Sequence, residues 1–372
     1  MTKRSLPVAG LLALLAGCAR HPATAHQPVV ANLISLLAAR PDLRTALTQA
    51  IDSARVDSIG SLDAFYRHVD QLVTWVPDQR VIVPKVLGLH YIINLAPGDA
   101  LNRDSAFSDW FGSVARAWGE FLSSPASAPG IASFAANPAY HVDDFVRPPG
   151  GWRTFNEFFT REIRPGLRPI AAPADGAVIV SPADATWMGS HAITDSATIT
   201  VKGADWRIAD LLDGSPYAAA FRNGTYAHMF LRVTDYHRFH LPVGGVIREL
   251  RHVHGRVYIE VVRNAAGGLD ARNGDTFQFN QERALVIVDS PAAGLVAVIP
   301  VGMTLISSVV LTPAVGDTVR KGDPLGYFQF GGSDIVLLFQ EGRVRLEGQI
   351  ERKYLEGARI GSSLPPIPPR PS

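Results

Sequence analysis

Val315-Gly316-Asp317-Thr318-Val319-Arg320-Lys321-Gly322-Asp323-Pro324-Leu325-Gly326 leads, four residues later, into Phe330-Gly331-Gly332-Ser333-Asp334 and then the apolar run Ile335-Val336-Leu337-Leu338-Phe339. The lead-in has the composition of tight turns. The apolar run is too short for a helix and has the length of a buried strand. Two glycines before a serine leave a backbone that can be strained and closely approached. The Ser333 hydroxyl is placed there to attack its own preceding peptide bond. Taken alone, Gly-Gly-Ser reads first as an ordinary turn between strands, and the rest of the chain has to outweigh that reading.

Outward from this stretch, short β-type runs separated by turns recur: Ala177–Val180, Thr198–Val201, Tyr226–Val233, Val257–Val262, Ala284–Val288, Val296–Pro300 and Leu305–Leu311. They predict an antiparallel β domain over residues 170–350, a barrel or sandwich. The 33 glycines and 27 prolines of the chain suit a body with many turns.

The first third reads differently. Pro28 and Pro41 suit first helical turns, and Val30, Leu33, Leu36 and Leu37 repeat at helical spacing. Leu62, Phe65, Val69 and Leu72 mark a second amphipathic stretch. A third runs from Ser105 to Leu122, with Phe107, Trp110, Phe111, Val114, Trp118, Phe121 and Leu122 on one face. Such an aromatic stripe is the core side of a helix. Residues 126–150 read as a Pro/Ala/Gly-rich connection, and Trp152–Arg161 as a short helix capped by Thr154. The fold class is therefore α+β, a helical N-terminal domain followed by a mainly antiparallel β domain. The units expected are 28–150, helical with its connection, and 151–361, carrying the chemistry, with a Pro-rich tail at 362–372.

The chain opens with Lys3 and Arg4, an apolar segment from Leu6 to Leu15, and Leu15-Ala16-Gly17-Cys18. The apolar segment falls short of the roughly 20 residues that span a bilayer, so it reads as an export signal. The ending resembles the bacterial lipoprotein signal, which implies lipidation of Cys18, a tether over 19–27 and an exported protein anchored to the cell envelope. Cys18 is the only cysteine, so no disulfide can form within one chain. At 47% hydrophobic and 19% charged residues the chain is globular, and a net charge of +1 points to no nucleic-acid partner.

Three clusters carry candidate chemistry. Pro173-Ala174-Asp175-Gly176 puts a carboxylate in a turn. Asp235-Tyr236-His237-Arg238-Phe239-His240 puts two histidines, able to exchange protons near neutral pH, beside a proline turn. Gly332-Ser333 is the third. Asp175, a histidine and Ser333 form a triad by composition. No Gly-x-Ser-x-Gly elbow surrounds Ser333, so a conventional hydrolase fold is not supported. His252-Val253-His254 leaves a zinc peptidase open as a competitor. The 315–326 turn resembles that of biotinyl and lipoyl carriers, but no lysine stands at the position that would be modified.

These clusters come in order with Phe155-Asn156-Glu157-Phe158-Phe159-Thr160-Arg161-Glu162 and Arg164-Pro165-Gly166. Over residues 152–345 the chain resembles the phosphatidylserine decarboxylase family, whose members make a pyruvoyl group from their own backbone. The resemblance implies self-cleavage between Gly332 and Ser333, with a covalent pyruvoyl cofactor formed from Ser333. It implies His240, oriented by Asp175, as the base that activates Ser333, and no metal. His237 is then the candidate for donating a proton to the decarboxylated substrate or for binding its carboxylate. One departure is Asp334, where the family usually carries Thr or Ser; a carboxylate there bears on the rate of processing. Trp118–Ala128 resembles the N-terminal domain of a branch that includes tryptophan decarboxylases. Phosphatidylserine is the expected substrate, with a free aromatic amino acid as the alternative. A non-catalytic envelope lipoprotein and a homo-oligomeric assembly stay open.

Overall fold

A computed structural model describes residues 25–365 apart from 195, 197, 202–203, 256, 258, 273–280 and 304–307. The export signal with Cys18, and the last part of the Pro-rich tail, lie outside the described residues.

The first layer is helical. Its elements are α1 (Pro28–Ala39), α2 (Pro41–Ala54), α3 (Leu62–Leu72), α4 (Ile82–Asn94), α5 (Asp99–Arg103), α6 (Ser105–Leu122) and α7 (Ile131–Ala135). α1 and α2 begin on their prolines, as expected. Ser61 caps α3 by accepting from Ala64 N. Asp104 caps α6 by accepting from Phe107 N and is itself held by Arg40 Nη2 at 2.9 Å. The aromatic stripe of α6 faces the core: Phe107, Trp110, Phe111, Val114, Trp118 and Leu122 are buried. The indole N–H groups of Trp110 and Trp118 donate to Val29 O and Trp75 O, which pins α6 to the first turn of α1 and to the turn after α3. α4 is not among the expected helices. Pro84 and Gly88 interrupt its pattern, yet Pro84 falls in the first turn, where a missing N–H costs little. The stretch expected as a connection over 126–150 is also more ordered than that, with a 3₁₀ turn at Pro125–Gly130, α7 and two further 3₁₀ turns.

The second layer is antiparallel β. Eight strands form its main sheet: β2 (Ala185–Ala192), β5 (Thr225–Leu231), β7 (Gly245–Val253), β10 (Arg283–Ser290), β11 (Gly294–Met303), β13 (Thr318–Val319), β15 (Gly332–Phe339) and β17 (Lys353–Tyr354). Their order is β13-β7-β10-β11-β15-β5-β2-β17. Two three-stranded sheets accompany it. One orders β1 (Val178–Val180), β18 (Arg359–Ser363) and β16 (Val344–Leu346). The other orders β12 (Val309–Leu311), β14 (Pro324–Phe328) and β6 (Arg238–His240). Two hairpins, β3 (Thr198–Val201) with β4 (Ala204–Arg207) and β8 (Glu260–Arg263) with β9 (Leu269–Arg272), complete the strands. A short helix α9 (Ile208–Leu212) follows β4. Among the described residues the sheets stack as a sandwich and no barrel closes, so of the two expected architectures the sandwich is the one formed.

Strand alternation sends successive side chains to opposite faces. Ile335, Leu337 and Phe339 join one buried cluster with Met229, Val286 and Val298. Val336 and Leu338 join another with Tyr226, Ile287 and Ile299. β15 is therefore buried on both faces, which is why its sequence is a continuous apolar run.

The two layers meet around Phe330. Helix α8 (Phe155–Phe159), capped by Thr154 as expected, joins the helical core through Phe155, Phe158 and Phe159. Phe330 sits edge-on to Trp118, Phe134, Phe155 and Phe159, with ring centroids 4.8–6.0 Å away. Its amide donates to Asn156 Oδ1 at 3.3 Å, and Asn156 Nδ2 donates to Gly119 O and Ser123 Oγ on and just beyond α6. The helical layer thus grips the segment just before β15. Phe330→Ala should cost about 3–5 kcal/mol, as for large aromatic truncations in cores. Urea unfolding followed by tryptophan fluorescence reads this directly.

Candidate active site

Ser333 lies at the start of β15, paired with Gly302 on one side and Leu231 on the other, and is fully buried. Its Oγ is 3.0 Å from Nδ1 of His237. The other ring nitrogen of His237, Nε2, is 3.1 Å from the carbonyl oxygen of Arg232. A carbonyl can only accept, so Nε2 carries the proton and Nδ1 presents its lone pair to Ser333. The hydroxyl then donates to Nδ1, the arrangement a base needs in order to activate a nucleophile.

The carbonyl that sets this tautomer is itself fixed. Arg232 O also accepts from Asp235 N, and the Asp235 carboxylate accepts from Arg232 N at 2.8 Å while pairing with Lys353. The loop from β5 to β6 is thereby closed on itself. Phe159 stacks on the imidazole with centroids 4.1 Å apart, and Phe328 N donates to His237 O. Complete burial, assisted by the nearby Arg161 guanidinium, pushes the His237 pKa down to about 3. The ring is neutral throughout the physiological range. Arg161 is nearly fully buried, lies 4.1 Å over the Phe145 ring, and donates to the carbonyls of Phe158, Phe159 and Tyr140.

His240, expected as the base on Ser333, is held elsewhere. Its Nδ1 donates to Gly322 O at 3.0 Å, and its Nε2 accepts from the Tyr236 hydroxyl at 3.2 Å. Burial lowers its pKa as well. The strand geometry explains the difference. β6 pairs with β14 through His240↔Pro324, Phe239↔Gly326 and Arg238↔Tyr327, which directs His240 toward the 320–324 turn. Gly326 permits this pairing, since a Cβ there would lie 2.0 Å from Val310 O and within 3 Å of the Phe239 ring.

Asp175, expected to orient His240, is exposed and caps its own turn by accepting from Ala177 N at 2.9 Å. That turn is clasped by Lys321, whose ammonium donates to the carbonyls of Ala172, Asp175 and Val178 at 2.8, 2.8 and 3.1 Å. The carboxyl nearest His240 among its ion-pair partners is Glu356, 3.8 Å from Nδ1. Burial first, and then the neighbouring Asp184 carboxylate, push the Glu356 pKa up to about 8, so it stands protonated at neutral pH.

The structure therefore brings Ser333 and His237 together and leaves Asp175 and His240 on separate hydrogen bonds. Asp235, Glu356, Phe159 and Lys353 were given no role from sequence. Asp235 had a signal, its place two residues before His237. Glu356 had none, because only the return of β17 and its following turn carries it to His240. His252 and His254 are exposed; His254 meets Glu282 at 3.3 Å, and no group of three or more potential metal ligands gathers among the described residues. Among the described residues nothing gathered at these histidines supports the zinc-peptidase reading.

A buried serine hydroxyl on a neutral histidine, following a glycine pair on a strand in the middle of a sheet, has the makings of a chain that acts on its own backbone. Residues 155–362 match the family model for phosphatidylserine decarboxylase. The chain is 33% identical over 254 residues to phosphatidylserine decarboxylase proenzyme 3 of Schizosaccharomyces pombe, covering 66% of this chain and 26% of that protein. It is 30% identical over 288 residues to phosphatidylserine decarboxylase proenzyme 2 of Oryza sativa, covering 77% and 45%. Over 263 residues it is 31% identical to the phosphatidylserine decarboxylase proenzyme of Fusobacterium nucleatum, covering 68% and 83%. The chain belongs to the phosphatidylserine decarboxylase family. It spans less than half the length of the fungal and plant relatives and most of the bacterial one.

The two histidines are separable by mutation. For the self-cleavage between Gly332 and Ser333 that the family resemblance implies, His237→Gln should slow scission by about 10²–10⁴-fold, the usual worth of a positioned base, and His240→Gln should slow it far less. Scission by the unaltered chain should show no titration between about pH 5 and 8, because His237 is already neutral there. Time courses on denaturing gels, with each variant purified uncut, measure both.

Proposed function

We propose that this chain is a self-processing, pyruvoyl-dependent decarboxylase acting on phosphatidylserine. The observation that carries the reading is the 3.0 Å contact between Ser333 Oγ and an His237 Nδ1 whose lone pair is fixed by the Arg232 carbonyl.

In this reading His237 accepts the hydroxyl proton while Oγ attacks the carbonyl carbon of Gly332. The C–N bond of the peptide breaks, and an ester and a free Ser333 amine result. Loss of the Ser333 α-proton then expels the Gly332 carboxylate. The remaining enamine shifts to an imine, takes up one water and releases ammonia, which leaves a pyruvoyl group amide-bonded to Asp334. The surroundings fit a small neutral ketone, since position 333 is dry and faces an uncharged imidazole. Once formed, the group supplies the electron sink that receives the electron pair released with carbon dioxide. Around it, Phe159 and the Arg232 loop hold the imidazole in place, and the Phe330 cluster fixes the chain just before the glycine pair.

The relatives' names support phosphatidylserine as the substrate. The segment 118–128, which suggested a free aromatic amino acid, is engaged in packing: Trp118 is buried against Phe330 and Ser127 accepts from Phe155 N. The reading includes export and acylation at Cys18, supported by Lys3, Arg4 and the apolar run before that cysteine. Among the described residues no helix is long and apolar enough to cross a membrane, so an acyl anchor is what would hold the described body at a bilayer.

Intact-mass spectrometry beside a Ser333→Ala control tests the core of this reading. Expected are two fragments, one ending at Gly332 and one from a pyruvoyl-blocked residue 333 to Ser372, with release of carbon dioxide from phosphatidylserine and not from tryptophan. A wild-type chain that stays uncut on prolonged incubation would overturn it. Cys18→Ser should shift the protein from the membrane to the soluble fraction after cell lysis.

A further inference from the structure

Asp334 follows the proposed cleavage point directly. Alternation along β15 puts its side chain on the face opposite Ser333, with Val336 and Leu338. It is fully buried, and its Oδ1 lies 3.3 Å from Nε2 of His228, which is also buried. His228 pairs with Val336 in the β5–β15 ladder, and Phe230 pairs with Asp334. The two side chains are thus diagonal neighbours on one face. Tyr226, Ile299 and Val301 belong to the buried cluster on that face.

A carboxylate and an imidazole in such a place are costly to bury, and an ion pair there seldom stabilises a fold more than apolar residues of the same size would. Nor does the pair take part in the chemistry at Ser333 Oγ, which lies through the sheet. What sets it apart is its position along the chain. His228 belongs to the part before Gly332 and Asp334 to the part after Ser333. Scission turns residue 333 from the interior of a chain into the free end of a strand, and strand ends fray. The backbone ladders to Gly302 and Leu231 remain, but the covalent hold from Gly332 is gone. A side-chain tie one residue inside the new end, anchored on the other fragment, opposes that fraying.

We propose that His228 and Asp334 form a positioning pair that clamps the end of β15 created by self-cleavage, and so holds the group borne on residue 333. The proposal rests on the self-cleavage reading above. It differs from an effect of Asp334 on processing, since the pair acts after scission and from the far face.

The test compares wild type, Asp334→Asn, His228→Gln and the double variant, each in the cleavable form and in a Ser333→Ala background that stays uncut. Intact mass gives the extent of scission, and hydrogen–deuterium exchange gives protection of residues 334–339. Expected is near-complete scission in every cleavable form. Amide exchange at the start of β15 should rise about ten-fold in each cut single variant, the order expected for losing one buried polar contact. The double variant should do no worse than either single one, and the uncut counterparts should change little. The kcat of the cut variants should fall with KM unchanged. Asp334→Thr, which keeps a small polar group without the charge, should behave like Asp334→Asn. Equal exchange in cut wild type and cut variants would overturn the clamp, as would an equal rise in the uncut background, which marks a purely structural pair. Failure of wild type to cut would instead overturn the self-cleavage reading, and the clamp with it.

Discussion

The bond from His237 Nε2 to the Arg232 carbonyl is the constraint on which the site depends. An imidazole sealed from water has no solvent to choose its tautomer, so its protein partners choose it. Here one partner accepts and can do nothing else, which leaves the opposite nitrogen free to accept from Ser333. The Asp235 turn holds that carbonyl, Lys353 holds Asp235, and Phe159 stacks on the ring. A histidine whose burial keeps it neutral around pH 7 suits the one-time scission proposed for this chain.

The helical layer and the sheet are one mechanical unit around this point. Phe330 enters a cage of four rings, one from α6, one from α7 and two from α8. Asn156 links that cage to the backbone of α6 and to Phe330 N. β15 then carries the chain directly into the centre of the main sheet. The residues just before Gly332 are thus gripped by helices, and those after it by strands. The core of the helical layer accordingly reaches beyond residue 150, through α8 and Phe330.

Much of this was legible in the sequence because it is local. Pro28, Pro41 and Thr154 mark helix starts by their backbone chemistry, the stripe of α6 declares a buried face, and the run 335–339 declares a buried strand. The family resemblance found the segments that meet at Ser333. What the chain order left open was which of two histidines, three residues apart, would arrive there. That choice is made by the β6–β14 register and the distant Gly322 carbonyl, which are non-local, together with the fold of the short loop that brings the Arg232 carbonyl to His237. Asp175 illustrates the same limit, since a carboxylate in a turn can point outward as readily as inward. α4 escaped notice because β-branched residues, Pro84 and Gly88 weaken its pattern, and tertiary packing overrides such preferences.

Lys321 has a meaning beyond its turn. Its ammonium sits among three backbone carbonyls at 2.8–3.1 Å, a coordination sphere of the sort that loops elsewhere build for a sodium or calcium ion. Here the cation is tethered to the chain by a flexible arm. It cannot be chelated, exchanged or diluted away. The loop that it organises, and the neighbouring Gly322 carbonyl that receives His240, thus keep their shape whatever the mineral content of the medium.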